Sequence, residues 1–250
     1  KRLLKGAFFL SFQSIQSNIQ MYNLSMNHYP VTVVDNFYKN PDEVRELALN
    51  QNYKSCSEIK GLNYTFPGSR TDDTAKISQD FHQKFFTKFS SFFHNYNHDQ
   101  LRMVMTSNFQ YVPESFNKGV IHRDVGAIFA GLIYLSKNPK LDSGTTLFKK
   151  NKKYDEEKFI KVCKSNDKLF MDGKYNELDY SYEVMFDEFV KINNSYNTLI
   201  MYEADIFHAA NKFFGTNKDN SRLTQVFFVH KIESKRSDSF PIDRANLVNI

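Results

Sequence analysis

From residue 101 onward the apolar residues fall into short alternating or continuous runs of strand type. They read LRMVMTSNFQYV (101–112), VIHRDV (120–125), AIFAGLIYLS (127–136), TTLF (145–148), YNTLIMY (196–202), IFHAANKFFG (206–215) and SRLTQVFFVHKI (221–232). Pro113, Lys118-Gly119, Asn138-Pro139 and Asp142-Ser143-Gly144 supply the turn chemistry between several of them. Short strands in succession with tight turns predict a sandwich or barrel rather than a parallel α/β sheet. Ahead of them the period is helical. PVTVVDNFY (30–38) reads as a short strand, Asn40-Pro41-Asp42 opens a helix with Val44, Leu47 and Ala48 on one side, and residues 61–73 read as a loop. A long helix is predicted from Thr74 to Tyr96, where Ile77, Phe81, Phe85, Phe89, Phe92 and Phe93 recur at steps of three and four, the stripe that packs one helix face on a sheet.

Residues 149–194 break the strand pattern. KKNKKYDEEKFIKVCK has helical spacing at Tyr154, Phe159 and Val162, and SYEVMFDEFVKI reads as a second short helix or a hydrophobic-polar segment, so the stretch is expected to be an insertion over the sheet, in the place of a lid or a substrate-reading surface. The expected organisation is an N-terminal arm or helix over 1–28 and one domain over 29–250. That domain has a helical part at 29–100 and a β core at 101–232.

Composition sharpens the β reading. Of 250 residues, 25 are Phe and 14 Tyr, with no Trp and 9 Gly, which suits a core of aromatic side chains on strands. The formal charge of +5 is modest and its basic residues are dispersed, so a nucleic-acid partner is permitted and not favoured. Two cysteines, Cys56 and Cys163, show neither a disulfide framework nor zinc-finger spacing, and no apolar run reaches the ~20 residues that span a bilayer. The opening KRLLKGAFFLSF has a basic start and a short apolar run, and is read as an arm packing on the domain rather than a targeting segment; the expected location is cytoplasmic, a host cytoplasm if the source is viral. Asn23, Asn63 and Asn193 fit a glycosylation pattern that carries little weight for such a protein.

The candidate chemistry lies in KGVIHRDVGAIFAGLIYLS (118–136). On a strand, His122 and Asp124 point to one face and offer an imidazole and a carboxylate, two ligands of a three-ligand iron site that a second histidine, His208, would complete. With seven histidines and 28 acids, about one such pair is expected by chance, so its context must carry the reading. Two neutral imidazoles and one carboxylate suit Fe(II) and leave open positions for a bidentate ligand and dioxygen; zinc more often takes three histidines, His2Glu or thiolates. Arg222 and Thr224 face one way on the last strand, with Leu223 on the other side, and a guanidinium beside a hydroxyl can clamp a carboxylate. His94 and His98, four apart, are read as dipole-complementing helix-end residues, and Asp205 as a turn residue rather than a ligand.

The order His122-x-Asp124, His208, Arg222 resembles the 2-oxoglutarate/Fe(II)-dependent oxygenase superfamily, most closely its prolyl-4-hydroxylase-like branch, over 101–232. GLIYLS followed by SGTTLF, NTLIMYEADIFHAA and RLTQVFFV resemble that family's core strands, and VVDNFYKNPDEVRELAL resembles the opening of phage and marine-bacterial members. The resemblance implies a double-stranded β-helix, a jelly roll of cupin type, with N-terminal helices packed on one sheet. It implies Fe(II) on His122, Asp124 and His208, with 2-oxoglutarate pinned by Arg222 and assisted by Tyr134 and Thr224; Tyr111 is a further candidate to line the oxo-acid site. The implied reaction consumes O2, releases succinate and CO2, and hydroxylates a protein side chain or small molecule. The 14 residues from His208 to Arg222 exceed the family's usual gap, so KFFGTNKDN must loop out. A non-catalytic jelly-roll binding protein and an oxygenase acting on nucleic acid are the alternatives.

Overall fold

In the computed structural model, residues 31–59, 61–62, 64–91 and 101–234 are described. The N-terminal arm, with Asn23, the sequon residue Asn63, Phe92, Phe93 and the His94/His98 pair lie outside them. In chain order the elements are β1 (Thr32–Val34), α1 (Pro41–Leu49), β2 (Lys54–Ser55), β3 (Ser69–Arg70), α2 (Thr74–Ile77), α3 (Gln79–Ser90), β4 (Leu101–Val112), β5 (Phe129–Tyr134), β6 (Thr145–Lys150), α4 (Glu156–Met171), β7 (Phe186–Ile192), β8 (Leu199–Glu203), β9 (Phe207–Ala210) and β10 (Arg222–Ser234). The result is mainly antiparallel β with a few helices, as expected. A large sheet has the order β1-β8-β5-β10-β4-β3-β2 and a small one β7-β6-β9.

Alternation along each strand explains the layers. On β5, Ala130, Leu132 and Tyr134 join Ile200 and Tyr202 of β8, Val226 of β10 and Leu147 of β6 between the two sheets. Phe129 and Ile133 point the other way, to Phe85 and Phe89 of α3 and Val44 and Ala48 of α1. Both faces of β5 are therefore covered, which is why its sequence is a continuous apolar run with no polar side. The outer face of the small sheet is covered by α4, whose Phe159 and Val162 meet Phe186, Phe207 and Ala209. Among the described residues no helix is long and apolar enough to cross a membrane.

Gly131, central on β5, marks a close approach between strands. A Cβ there would stand 2.2 Å from the Ile200 carbonyl oxygen and 2.5 Å from the Phe227 ring. Gly131→Ala is therefore expected to cost about 3 kcal/mol or more in denaturant unfolding, since neither the β8 backbone nor the Phe227 ring buried against α3 yields cheaply.

Four elements differ from the sequence expectation, the first being β3, which lies inside the stretch 61–73 predicted as a loop and pairs with β2 and β4. The helix predicted from Thr74 is broken at Ser78, whose backbone is extended (φ −157°, ψ 108°); its hydroxyl accepts the Phe81 N–H at 3.2 Å and caps α3, while Asp73 caps α2 through Ala75 N–H at 2.8 Å. Side chains of this kind offer the backbone a competing partner and start a new helix. The insertion predicted over 149–194 is shorter, because FDEFVKI is β7, paired with β6. A register shift opposite Leu147/Phe148 interrupts its period of two, so its burial pattern does not alternate as a regular strand's would. VIHRDV forms a single bridge, His122 to His208, rather than a strand.

Candidate metal centre

The small sheet delivers both histidines. His122 N–H donates to His208 O at 3.1 Å and His208 N–H to His122 O at 3.0 Å, so the two residues are directly opposed and their rings lie 4.3 Å apart between centroids. Beyond His122 the chain leaves that ladder. Asp124 N–H donates to Ala204 O at 2.9 Å, in the β8–β9 turn, and Gly126 takes φ 93° as the chain reverses into β5. Asp124 therefore reaches His122 through the β8–β9 turn and not, as predicted, as its same-face neighbour on a strand.

Asp124 Oδ2 lies 3.2 Å from His208 Nε2, and Oδ1 lies 3.7 Å from His122 Nε2. The side chains are 6% (His208), 16% (Asp124) and 47% (His122) exposed, so the group is closed on one side and open at His122. Each imidazole is held from behind: Nδ1 of His122 meets Val120 O, and Nδ1 of His208 meets Ile206 O, both at 2.9 Å. A carbonyl only accepts, so the proton of a neutral ring sits on Nδ1 and the Nε2 lone pair faces Asp124.

Burial opposes ionisation of Asp124, but the two histidines and Arg70 outweigh it and hold its carboxyl at about 2. Loss of hydration, then the neighbouring His208, pulls His122 below its ordinary value against the attraction of Asp124. At neutral pH a carboxylate thus faces a neutral imidazole, the protonation state a divalent cation requires. The donor atoms of the three residues lie within 4.8 Å of one another and can hold a metal ion, and this N2O set suits iron.

Arg222 opens β10 on the face shared with Thr224 and Val226, between the sheets. Its side chain is buried, with Nε donating to Ser143 O at 3.1 Å, Nη2 reaching Thr145 Oγ1 at 3.4 Å, and Cζ 5.4 Å from the Tyr134 ring centroid. The Tyr134 hydroxyl meets Thr145 Oγ1 at 2.8 Å. Among the described residues Thr224, opposite Tyr134 on the neighbouring strand, has only the Gln110 carbonyl at 3.5 Å, too long to satisfy its hydroxyl well. No carboxylate pairs with Arg222 among the described residues.

Two residues that sequence reasoning passed over join these groups. Tyr202 is buried with its ring centroid 4.5 Å from that of His208. Burial pushes its hydroxyl up, Asp124 and Tyr134 push the same way, and Arg222 opposes them, so its hydroxyl is within electrostatic reach of both the triad and Arg222. Thr145 is the second; it is the hydroxyl both Arg222 and Tyr134 touch. Tyr111 is not brought to this group. In register with Leu223, it stands on the opposite face of the large sheet, edge-on to Tyr53 at 5.0 Å and packed against the cluster under α1 and α3. Asp205 is exposed and paired with Arg123 at 3.0 Å.

A family model described as a family of unknown function, DUF6445, matches residues 15–229. The chain belongs to this family. No curated protein matches the sequence of this DUF6445 member. Among solved structures the chain is similar to HygX from Streptomyces hygroscopicus with nickel, 2-oxoglutarate and hygromycin B bound (10% identity, 88% of this chain and 87% of that one, TM-score 0.49). It is also similar to a Trichoplax adhaerens prolyl hydroxylase in complex with a hypoxia inducible factor peptide (11%, 95% and 96%, 0.45), and to a Pseudomonas putida prolyl-4-hydroxylase (11%, 84% and 95%, 0.41). At such scores the likeness adds nothing to what the sheet order and the side chains of the DUF6445 chain carry by themselves.

Proposed function

We propose that this chain is a 2-oxoglutarate- and Fe(II)-dependent dioxygenase of the prolyl-4-hydroxylase-like branch, hydroxylating a protein side chain or small molecule. The observation that carries the reading is the buried, acid-free guanidinium of Arg222 in the same inter-sheet space as His122, Asp124 and His208. A buried charge without a counter-ion is costly, and a carboxylate-bearing ligand offsets that cost. The order of strands supports a double-stranded β-helix: from β4 the chain passes to the His122 segment beside β9, then to β5, to β6 and β7, to β8, to β9 and to β10, moving repeatedly between the large and small sheets.

His122, Asp124 and His208 would hold the metal, their rings fixed by the Val120 and Ile206 carbonyls. Arg222 would fork onto the far carboxylate of the oxo acid, with the hydroxyls of Thr145, Tyr134 and Thr224 around it. Bound together, iron and 2-oxoglutarate supply the oxidising chemistry: the oxo acid and O2 become succinate and CO2, and one oxygen atom enters a C–H bond of the substrate. The burial of Tyr134, Tyr202 and His208 keeps bulk water from that end, and the exposed edge of His122 leaves the substrate a way in. Anaerobic addition of Fe(II) and then 2-oxoglutarate is expected to produce a weak visible charge-transfer band that neither component gives with the protein alone. A protein that binds Fe(II) and stays colourless with 2-oxoglutarate would be a metal-binding module, and the oxygenase reading would fall.

A further inference from the structure

A second guanidinium addresses the same triad from the far edge of the large sheet. Arg70 on β3 is in register with Gln110 of β4, which is in register with Thr224 of β10. Its Cζ lies 4.4 Å from the Phe66 ring centroid and 5.6 Å from that of Phe228. Phe228 packs in the inter-sheet cluster with Ala204 and Ile206, the residues whose carbonyls hold the Asp124 amide and the His208 ring. Arg70 therefore faces the inter-sheet space from β3, and its charge is felt, as the weakest of the neighbouring influences, by both Asp124 and His122.

No hydrogen bond or ion pair reaches the Arg70 guanidinium among the described residues, and its Nε is buried without a partner. The one carboxylate that registers on it, Asp124, is turned toward the imidazoles. An arginine serving only to brace β3 would be expected to find an acceptor, because an unmet buried donor costs about 1–3 kcal/mol. Stacking on Phe66 leaves the in-plane N–H edge of a guanidinium available for a bidentate acceptor. Arg222 answers to Tyr134 and Tyr202, deep between the sheets, whereas Arg70 answers first to Tyr64 and then to Asp124 and Cys56. The two cations are thus separate subsites.

We propose that Arg70 is the specificity residue for the primary substrate, and that this substrate is a small carboxylate whose apolar body lies against Phe228. The assignment rests on the oxygenase reading for what happens to that molecule, and not for the anion site itself. A single guanidinium fork offers two parallel N–H donors, which match the two oxygens of one carboxylate.

Benzoate is a suitable probe and benzamide its uncharged counterpart. Saturation-transfer NMR on the full chain with Mn(II) and saturating 2-oxoglutarate, which occupies Arg222, is expected to detect benzoate and not benzamide, with relaxation of the benzoate protons enhanced by the Mn(II). Arg70→Met, which removes the charge, and Arg70→Lys, which keeps it without the fork, should each weaken benzoate binding roughly tenfold or more. Folding of both variants is checked by thermal melting, and their response to 2-oxoglutarate should match that of the wild type. Equal binding of benzoate and benzamide by the wild type, or wild-type benzoate affinity in Arg70→Lys, overturns the proposal while leaving the oxygenase reading in place. Should 2-oxoglutarate itself fail to bind, the oxygenase reading falls, and the benzoate comparison on an Arg222→Met background decides the Arg70 site: dependence on Arg70 upholds it and independence overturns it.

Discussion

Asp124→Asn is expected to lower divalent-metal affinity by more than about a hundredfold and to bring succinate formation to background. Replacing the groups behind metal ligands already costs about ten- to a hundredfold, and Asp124 is the charged member of the set, with its oxygens 3.2 and 3.7 Å from the two Nε2 atoms. The asparagine keeps the shape and loses the charge, so Mn(II) titration followed by calorimetry isolates the electrostatic part. The metal-free proteins offer a second readout. Asp124 has its folded pKa depressed to about 2 from an ordinary 3.8, so its ionisation stabilises the fold above the unfolded value, and that stability is lost as pH falls through the folded one. Wild type should thus lose about 2 kcal/mol between pH 4 and pH 2 that Asp124→Asn does not lose. Unchanged metal affinity in the variant would place the metal elsewhere.

What the sequence made legible follows from the range of the interactions involved. β10 and β4 could be read because each is long and the parity of its side chains is local: Arg222 and Thr224 on one face and Leu223 on the other needs nothing but the period of two. The stripe of Phe81, Phe85 and Phe89 was readable for the same reason, and the break at Ser78 was not, because a serine inside a helical pattern signals a cap only once its hydroxyl has found Phe81 N–H. Pairing register is non-local, and there the reading fails. Tyr111 lies eleven residues before His122 in the chain, but it is the register with Leu223 that assigns it to the face under the helices. His122 and Asp124 were visible as a pair, whereas the bridge to His208 and the amide bond to Ala204 that set their geometry join segments some 80 residues apart. Arg70 sits on a two-residue strand inside a stretch that reads as loop, too short for alternation to show. Phe189 is the extra residue that hides β7, since Leu147 faces Val190 while Phe148 faces Glu188.

Arg222→Met separates a ligand-holding role from a structural one, because the two roles predict opposite changes in stability. In the proposed role the guanidinium makes charge-assisted bonds to a carboxylate worth about 1.5–3 kcal/mol each, so its loss should weaken 2-oxoglutarate binding roughly a hundredfold or more. Mn(II) affinity should be unchanged, since Arg222 contacts Ser143, Thr145 and Tyr134 and none of the three metal ligands. Without 2-oxoglutarate the variant replaces an unpaired buried charge by an apolar chain of similar length between Tyr134 and Phe213, at the loss of two hydrogen bonds. Its melting temperature should therefore equal or exceed that of the unliganded wild type, whose own melting temperature should climb with added 2-oxoglutarate while the variant's does not. A structural strut would behave in the reverse way: Arg222→Met would melt several degrees lower and still respond to the oxo acid. That outcome would remove the observation on which the cosubstrate rests, and leave His122, Asp124 and His208 as a metal site alone.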